Sequence, residues 1–379
     1  MKKFFSSLFG FLRKTDLLLL LLCMLATAYG IVLISSATLH EGTTAYVTTQ
    51  CKALGIGIVL YFLFSAIDID ILAEKWRFLL VFSVALISLL FVVGIAGDTG
   101  NRAWIRFGGS GIQPAEIAKI PFIIILAKQI FDFRSAHKLN RFSSVFALLL
   151  LFLLFFGLIL KASEDMGTAL VYFFIFLIVL FIAGLKFYWF LIGLGGIAAV
   201  IPLVWNHLLS ENQQQRILAP YDSSIDPSGL GITWQITKCR AAIIHGGFSG
   251  MGLYKGTYTQ SGMVSQQHTD LIFSVAGEEL GFIGCIAILV LLLAIIIRCF
   301  YVGYRSNSLL GMLVCTGMAS MLIFQTLENV GMCLGLTPVI GLTLPFFSYG
   351  GSSLVTLYAA MGIVSGIKMR PNPSRFVRL

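Results

Sequence analysis

Charge is what this sequence has least of. Only 11% of its 379 residues are charged, against 58% hydrophobic, whereas soluble domains run near a quarter charged and half apolar. So few charges cannot cover a water-facing exterior, and a soluble globular class is excluded. Cysteine chemistry is missing as well. The 7 cysteines stand singly, most inside apolar runs (Cys23, Cys285, Cys299, Cys315, Cys333), with neither zinc spacing nor a disulfide framework. The sequence shows no transit peptide, lipidation box, low-complexity tract or repeat of solenoid period. The first hydrophobic run, LLLLLLCMLATAYGIVLISSA (17–37), is too long for a signal-peptide core and is expected to stay in the membrane.

What is present is a series of long apolar runs, with mean hydropathy +0.93. A bilayer takes about 20 mostly apolar residues to cross. The runs predict ten spans, near 16–37, 51–70, 77–96, 114–132, 143–161, 166–184, 187–206, 271–299, 308–333 and 346–368. The fold class is therefore all-α, a polytopic membrane protein, with residues 1–379 forming a single transmembrane domain. The net charge of +9 does not point to nucleic acid, because its positives sit in the tails (Lys2, Lys3, Arg13, Lys14; Lys368, Arg370, Arg375, Arg378) and in short loops. Loops carrying Lys75 and Arg77, then Arg134, Lys138 and Arg141, then Lys186, then Arg298 and Arg305 alternate with loops poor in positives. An even number of spans with both termini cytoplasmic satisfies that alternation.

Two outer segments break the pattern: 97–119, with Arg102 and Arg106 around Trp104, and the long polar stretch 207–270 between the seventh and eighth spans. A connection of that length is usually functional. Function is therefore expected on the outer face. There, SQQHTDLIFSVAGEELGFIG (265–284) puts His268, Thr269 and Asp270 at the mouth of an apolar helix. Asp270 reads as a helix N-cap or as a general base at the membrane boundary, and one carboxylate serves both. Glu278 and Glu279 lie two turns deeper, where ionisable groups are paired or functional. In QPAEIAK (113–119), Pro114 and Glu116 suit a helix start. Lys119 shares a face with Glu116, either as its ion-pair partner or as a cation for a phosphate. Arg216, Lys238 and Arg240 precede the glycine-rich HGGFSGMGLYKGTYTQSG (245–262), in which backbone N–H groups and Lys255 suit an anion, or the loop is simply mobile. Asp165, in SEDMGTAL, reads as a cap. In PVIGLTLPFFSYGGSSL (338–354), small residues around Ser348, Gly350 and Gly351 read as close helix packing.

Three of these segments, HTDLIFSVAGEELGFIG, IQPAEIAK and PVIGLTLPFFSYGGSSL, together resemble the SEDS family of bacterial membrane glycosyltransferases, the RodA, FtsW and SpoVE proteins, and the similarity runs from first span to last. The resemblance implies ten helices in the bacterial cytoplasmic membrane and polymerisation of lipid II into peptidoglycan glycan strands. It implies inverting attack of an acceptor GlcNAc 4-hydroxyl on a donor MurNAc, with Asp270 as base. Lys119, Arg106, Arg216, Arg240 and Lys255 are then candidates for the pyrophosphates, with His268 beside them. Glu116 orients Lys119, and Glu278 and Glu279 brace the helix behind Asp270. No cofactor is required, although a divalent cation, magnesium or manganese, has a place at the pyrophosphate. The implied partners are lipid II, a class B penicillin-binding protein and other elongation or division proteins. The short tails favour cell elongation over division or sporulation. Ser265 and Gln266 stand where the family has Pro-Glu, Glu164 where it has Pro, and Glu328 where it is apolar, which puts the networks around the site in doubt. A lipid flippase is the competing reading, against which stands the lack of a half-to-half repeat. A scaffold that only recruits a partner is the third.

Overall fold

The structure, a computed structural model, describes residues 10–94, 102–107, 110–207, 211–222, 224–229 and 231–371. Lys2, Lys3, Arg375 and Arg378 of the basic tails lie outside the described residues. The chain is mostly helical. Its elements run α1 (Leu17–Ala37), α2 (Ala45–Ala66), α3 (Ile69–Glu74), α4 (Trp76–Ser88), α5 (Leu90–Val93), β1 (Ile105–Phe107), β2 (Ser110–Ile112), α6 (Pro114–Ser135), α7 (Phe142–Ala162) and α8 (Met166–Ile182). Then follow α9 (Phe187–His207), α10 (Glu211–Leu218), α11 (Trp234–Gly246), α12 (Thr257–Gln260), α13 (Ile272–Arg305), α14 (Leu309–Leu334) and α15 (Gly351–Met369).

Among the described residues, 8 helices are long and apolar enough to cross a membrane, with α4 and α5 counted together as Trp76–Val93. Of the two other expected spans, α8 is apolar but only 17 residues long, and α6 carries Glu116, Lys119, Lys128, Asp132 and Arg134. α13 runs on to Arg305 rather than ending at 299, and α2 starts at Ala45 and ends at Ala66 rather than covering 51–70. Its end is set by Asp68, whose carboxylate accepts from the N–H of Asp70 (3.0 Å) and starts α3.

The centre of the bundle is α14 and α15, both largely buried. α2 packs along α15, while α13 and α8 pack against α14. One end is tied by Asp16, fully buried at the N-cap of α1. Arg298 grips it with two hydrogen bonds (2.8 and 3.0 Å), and Lys368 Nζ stands 3.2 Å away. A buried carboxylate needs such partners.

The other end is organised by a break in α13. Gly281 has φ 67° and ψ −162°, a conformation open essentially only to glycine. The break frees the carbonyls of Glu278 and Glu279 and the N–H groups of Phe282 and Ile283. The glycine-rich loop fills the gap. Met251 and Gly252 donate to Glu278 O and Glu279 O (3.0 and 2.9 Å), while Phe282 and Ile283 donate to Gly247 O and Phe248 O (2.9 and 3.3 Å). These four backbone groups are thereby paired again. A Cβ at 281 would stand 2.6 Å from Phe248 O. Gly281→Ala is therefore expected to cost about 3 kcal/mol or more, strain and clash together, and to lower the melting temperature of the purified protein in detergent. Unchanged melting would remove the break from the list of structural requirements.

Candidate active site

A cavity of about 3430 Å³ lies between α9 and the rest of the bundle. Its long walls are apolar, built by residues such as Phe146, Phe152, Phe173, Leu194 and Ile197. No residue in the span of α9 is buried; it touches the core at its start through the half-buried Trp189 and Phe190 and closes the cavity with the rest of its length. Lys52, Arg106, Glu116, Asp165, Arg216 and Asp270 are the charged groups at its polar end that matter below. A slot that is apolar along its length and charged at one end fits an amphiphile with an anionic head.

Asp270 closes the turn 265–271, ahead of α13. The turn is pinned from three sides. Gln267 donates to Ala37 O (2.7 Å) and Thr259 O (3.0 Å), and Tyr349 N–H donates to His268 O (2.8 Å). Asn329 Nδ2 donates to both Asp270 O (2.6 Å) and Leu342 O (2.7 Å). The helix N-cap is Leu271, with no side-chain capping bond. The capping role open to Asp270 is thus not taken up, and among the described residues nothing hydrogen-bonds its carboxylate. Gly341, at φ 74°, faces it, and a Cβ there would sit 3.5 Å from Asp270 Oδ2. The positive φ and the open space in front of the carboxylate both depend on that glycine.

Asp165 does cap, at the start of α8. It accepts from Thr168 N–H (2.9 Å) and Thr168 Oγ1 (2.7 Å), and Gln113 Nε2 donates to it at 2.9 Å. The electrostatics of the two aspartates are linked. Burial pushes the Asp270 carboxyl up to about 7, and the negative charge of Asp165 adds to the rise. Asp165 is also raised, mainly by burial, against the lowering pull of its Thr168 bonds. His268 is lowered by burial and packs between Tyr46 and Tyr349, with centroids at 4.5 and 5.7 Å.

The structure gathers Arg106, Glu116, Asp165, Arg216, Asp270, Gly350 and Gly351 on one cavity and leaves Lys119, Arg240, Lys255, His268, Glu278, Glu279 and Ser348 off its wall. Lys119 is 0% exposed, pairs with Glu116 2.5 Å away and is not on the cavity wall. Arg240 lies against Gly335, and Lys255 folds its stem over Gly252. In the glycine-rich loop the amides of Met251 and Gly252 are spent on the α13 break. Glu278 accepts from Tyr258 N–H, Thr259 N–H and Thr259 Oγ1, each at 2.8 Å, and Glu279 accepts from Ser36 Oγ (2.7 Å) and Gln260 Nε2 (2.9 Å). The two glutamates therefore anchor the segment 256–260 onto the helix behind Asp270. Ser348 Oγ accepts from Leu344 N–H (2.8 Å) and shapes the turn before α15. Glu328 has Thr337 as neighbour, whose hydroxyl donates to its carbonyl (3.3 Å). Sequence reasoning passed over Lys52, Gln113 and Asn329. Gln113 stands inside a quoted motif and was detectable there; Lys52 sits in an ordinary apolar run with no local signal.

A multi-pass helical membrane protein, with a partly buried carboxylate facing an amphiphile-shaped cavity, is the class these features define. Residues 16–372 match the family model of the FtsW, RodA and SpoVE cell cycle proteins, and the chain belongs to that family. It is 32% identical to the peptidoglycan glycosyltransferase MrdB of Escherichia coli K12 over 93% of this chain and 92% of that one. It is 33% identical to a probable peptidoglycan glycosyltransferase FtsW of Trichlorobacter lovleyi, over 95% and 96%. Among solved structures it resembles a chain of a peptidoglycan synthase complex that coordinates polymerization and crosslinking (TM-score 0.79, 32% identity, 94% and 98% covered). It also resembles the rod shape determining protein RodA of Thermus thermophilus (TM-score 0.70, 29% identity, 95% and 98% covered).

Proposed function

We propose that this protein is a peptidoglycan glycosyltransferase that polymerises lipid II at the outer face of the bacterial cytoplasmic membrane. The carrying observation is Asp270: a carboxylate held by its backbone, free of side-chain bonds, facing a cavity long enough for a lipid tail. Ten spans with both termini cytoplasmic, one domain over residues 1–379 and the loop 207–270 outside accord with the loop charges.

The reaction follows from these groups. Asp270 accepts the proton of the acceptor GlcNAc 4-hydroxyl as its oxygen attacks C1 of the donor MurNAc. The C1–O bond to undecaprenyl pyrophosphate breaks with its electron pair on the leaving oxygen, and the configuration inverts. Arg106 and Arg216 line the cavity where that charge develops. Glu116, fixed by Lys119, and Asp165, fixed by Thr168 and Gln113, shape the field around Asp270. Among the described residues no three His, Cys, Asp or Glu side chains gather as metal ligands; a divalent cation would be held by the substrate's own pyrophosphate with one or two carboxylates, and Asp270 and Glu116 on the cavity wall are the residues that would share it. A class B penicillin-binding protein is the partner we assign, on the likeness to the synthase complex. Elongation is the process we assign, on the likeness to RodA and MrdB.

The test is polymerisation of purified lipid II by the purified chain, with and without its penicillin-binding partner. Polymer supports the reading. Lipid II movement across a vesicle membrane without polymer would replace it with a flippase.

The same assay run across pH checks the role of Asp165. The base works ionised, so the rate climbs as pH rises through about 7. Asp165→Asn removes a negative charge that opposes this ionisation, while the amide oxygen still caps α8. The acidic limb of kcat/KM is expected to move to lower pH. A limb that stays in place would show that the two carboxylates do not communicate.

A further inference from the structure

The first turn of α15 is bare. Gly350 precedes it without a side-chain capping bond, and among the described residues nothing accepts from the N–H groups of Gly351, Ser352 or Ser353. Helix starts leave such donors unpaired and carry partial positive charge. Two hydroxyls beside them are idle as well. Ser352 Oγ is buried without a partner, and Ser353, 9% exposed, makes no hydrogen bond with any described residue. Idle buried donors in one place ask for an explanation, and all four residues line the large cavity.

Packing does not account for the glycines. Close packing explains glycines such as Gly30, whose Cβ would meet Phe347 O at 2.6 Å, but not those such as Gly55 and Gly157, which have open space around them. At Gly351 a Cβ would meet nothing nearer than Thr49 Cγ2 at 3.9 Å, and at Gly350 nothing nearer than 3.5 Å. The backbone there is open towards the cavity, and a ligand can approach it closely.

A cation lines the same cavity on the neighbouring helix. Gln50 of α2 clamps the turn, donating to Ser348 O (3.0 Å) and accepting from Gly350 N–H (3.2 Å). Thr49 lies against Gly351, and Lys52 follows one turn later, exposed and lining the cavity with Thr49. Neither α2 nor α15 contains an acidic residue. Three backbone donors, two hydroxyls and one ammonium thus line one stretch of the cavity, with no carboxylate on either helix and Asp270, Glu116 and Asp165 on other elements of its wall, a donor set that suits phosphate.

We propose that the Gly350–Ser353 turn together with Lys52 is a phosphate subsite, which holds the diphosphate of a polyprenyl-linked substrate while its lipid chain lies along the apolar cavity. The subsite adjoins Asp270, because Tyr349 N–H binds His268 O at 2.8 Å. The lipid-borne source of the phosphate rests on the glycosyltransferase reading; the phosphate chemistry itself does not.

Binding of farnesyl diphosphate, inorganic pyrophosphate and farnesol to the full-length protein in detergent, followed by calorimetry, tests it without polymerisation. Farnesyl diphosphate is expected to bind more tightly than either other probe. Lys52→Met and the double variant Ser352→Ala/Ser353→Ala are each expected to weaken it about tenfold, the size of one charge-assisted contact, and Lys52→Arg to restore most of the loss. None of these changes removes a contact that holds the fold, so melting without ligand should match wild type. Wild-type binding by both Lys52→Met and the double variant overturns the subsite, even if the protein polymerises lipid II. Loss of binding in both upholds it, even if no polymer forms. Equal affinity for pyrophosphate and farnesyl diphosphate overturns the lipid-borne source.

Discussion

Asp270→Asn is expected to lower glycan polymerisation by roughly 10²–10⁴-fold, the range a positioned general base contributes, with folding intact. The fold does not lean on the carboxylate. The contact of Asp270 with α14 runs through its carbonyl to Asn329, and no capping bond is lost. Asparagine keeps the shape and removes only the proton acceptor. The pH dependence provides a second check. Folding raises the carboxyl to about 7, so wild type is mostly protonated, and slow, in mild acid and gains rate through neutrality. The residual activity of the asparagine variant should lack that limb. The measurement is polymer length and yield from lipid II at matched protein and matched partner, with melting temperatures alongside. A variant retaining more than about a tenth of wild-type rate would end the assignment of Asp270 as base.

The sequence made the helices legible because long apolar runs have few other outcomes, and it made Asp270 and Asp165 legible because polar residues at the mouths of such runs are conspicuous. Legibility failed where identity is settled by distant partners. The break in α13 at Gly281 exists because Gly247 and Phe248 bring acceptors, and Met251 and Gly252 bring donors, to the freed groups; within the run itself Gly281 is one small residue among many. The same loop looked like a phosphate cradle for the same reason, since glycine-rich backbone suits an anion and a helix break equally. α9 shows another limit. Its run is as apolar as its neighbours, and apolarity alone does not say whether a helix joins the bundle or stands off to enclose a cavity. Spacing alone allows Lys119 to pair with Glu116 or to meet a phosphate; in the structure it is 0% exposed and pairs with Glu116, off the cavity wall.

That placement of Lys119 carries the second large effect. Lys119→Met is expected to destabilise the protein by about 3–5 kcal/mol, because it strands the Glu116 carboxylate, itself 5% exposed, without its counter-charge. Glu116→Gln should do comparable harm by leaving the ammonium unpaired. The double variant Glu116→Gln/Lys119→Met removes both charges together and is expected to melt closer to wild type than either single change, since a buried pair replaced as a unit is often neutral. Activity should not follow stability. Glu116 faces the cavity and Lys119 does not, so the double variant regains its fold but loses the negative charge beside the reacting sugars. If Lys119 instead contacted phosphate directly, Lys119→Met would abolish polymerisation while melting normally. Thermal unfolding and polymerisation measured on the three variants separate these cases, because only a structural cation lets stability recover in the double variant while catalysis stays low.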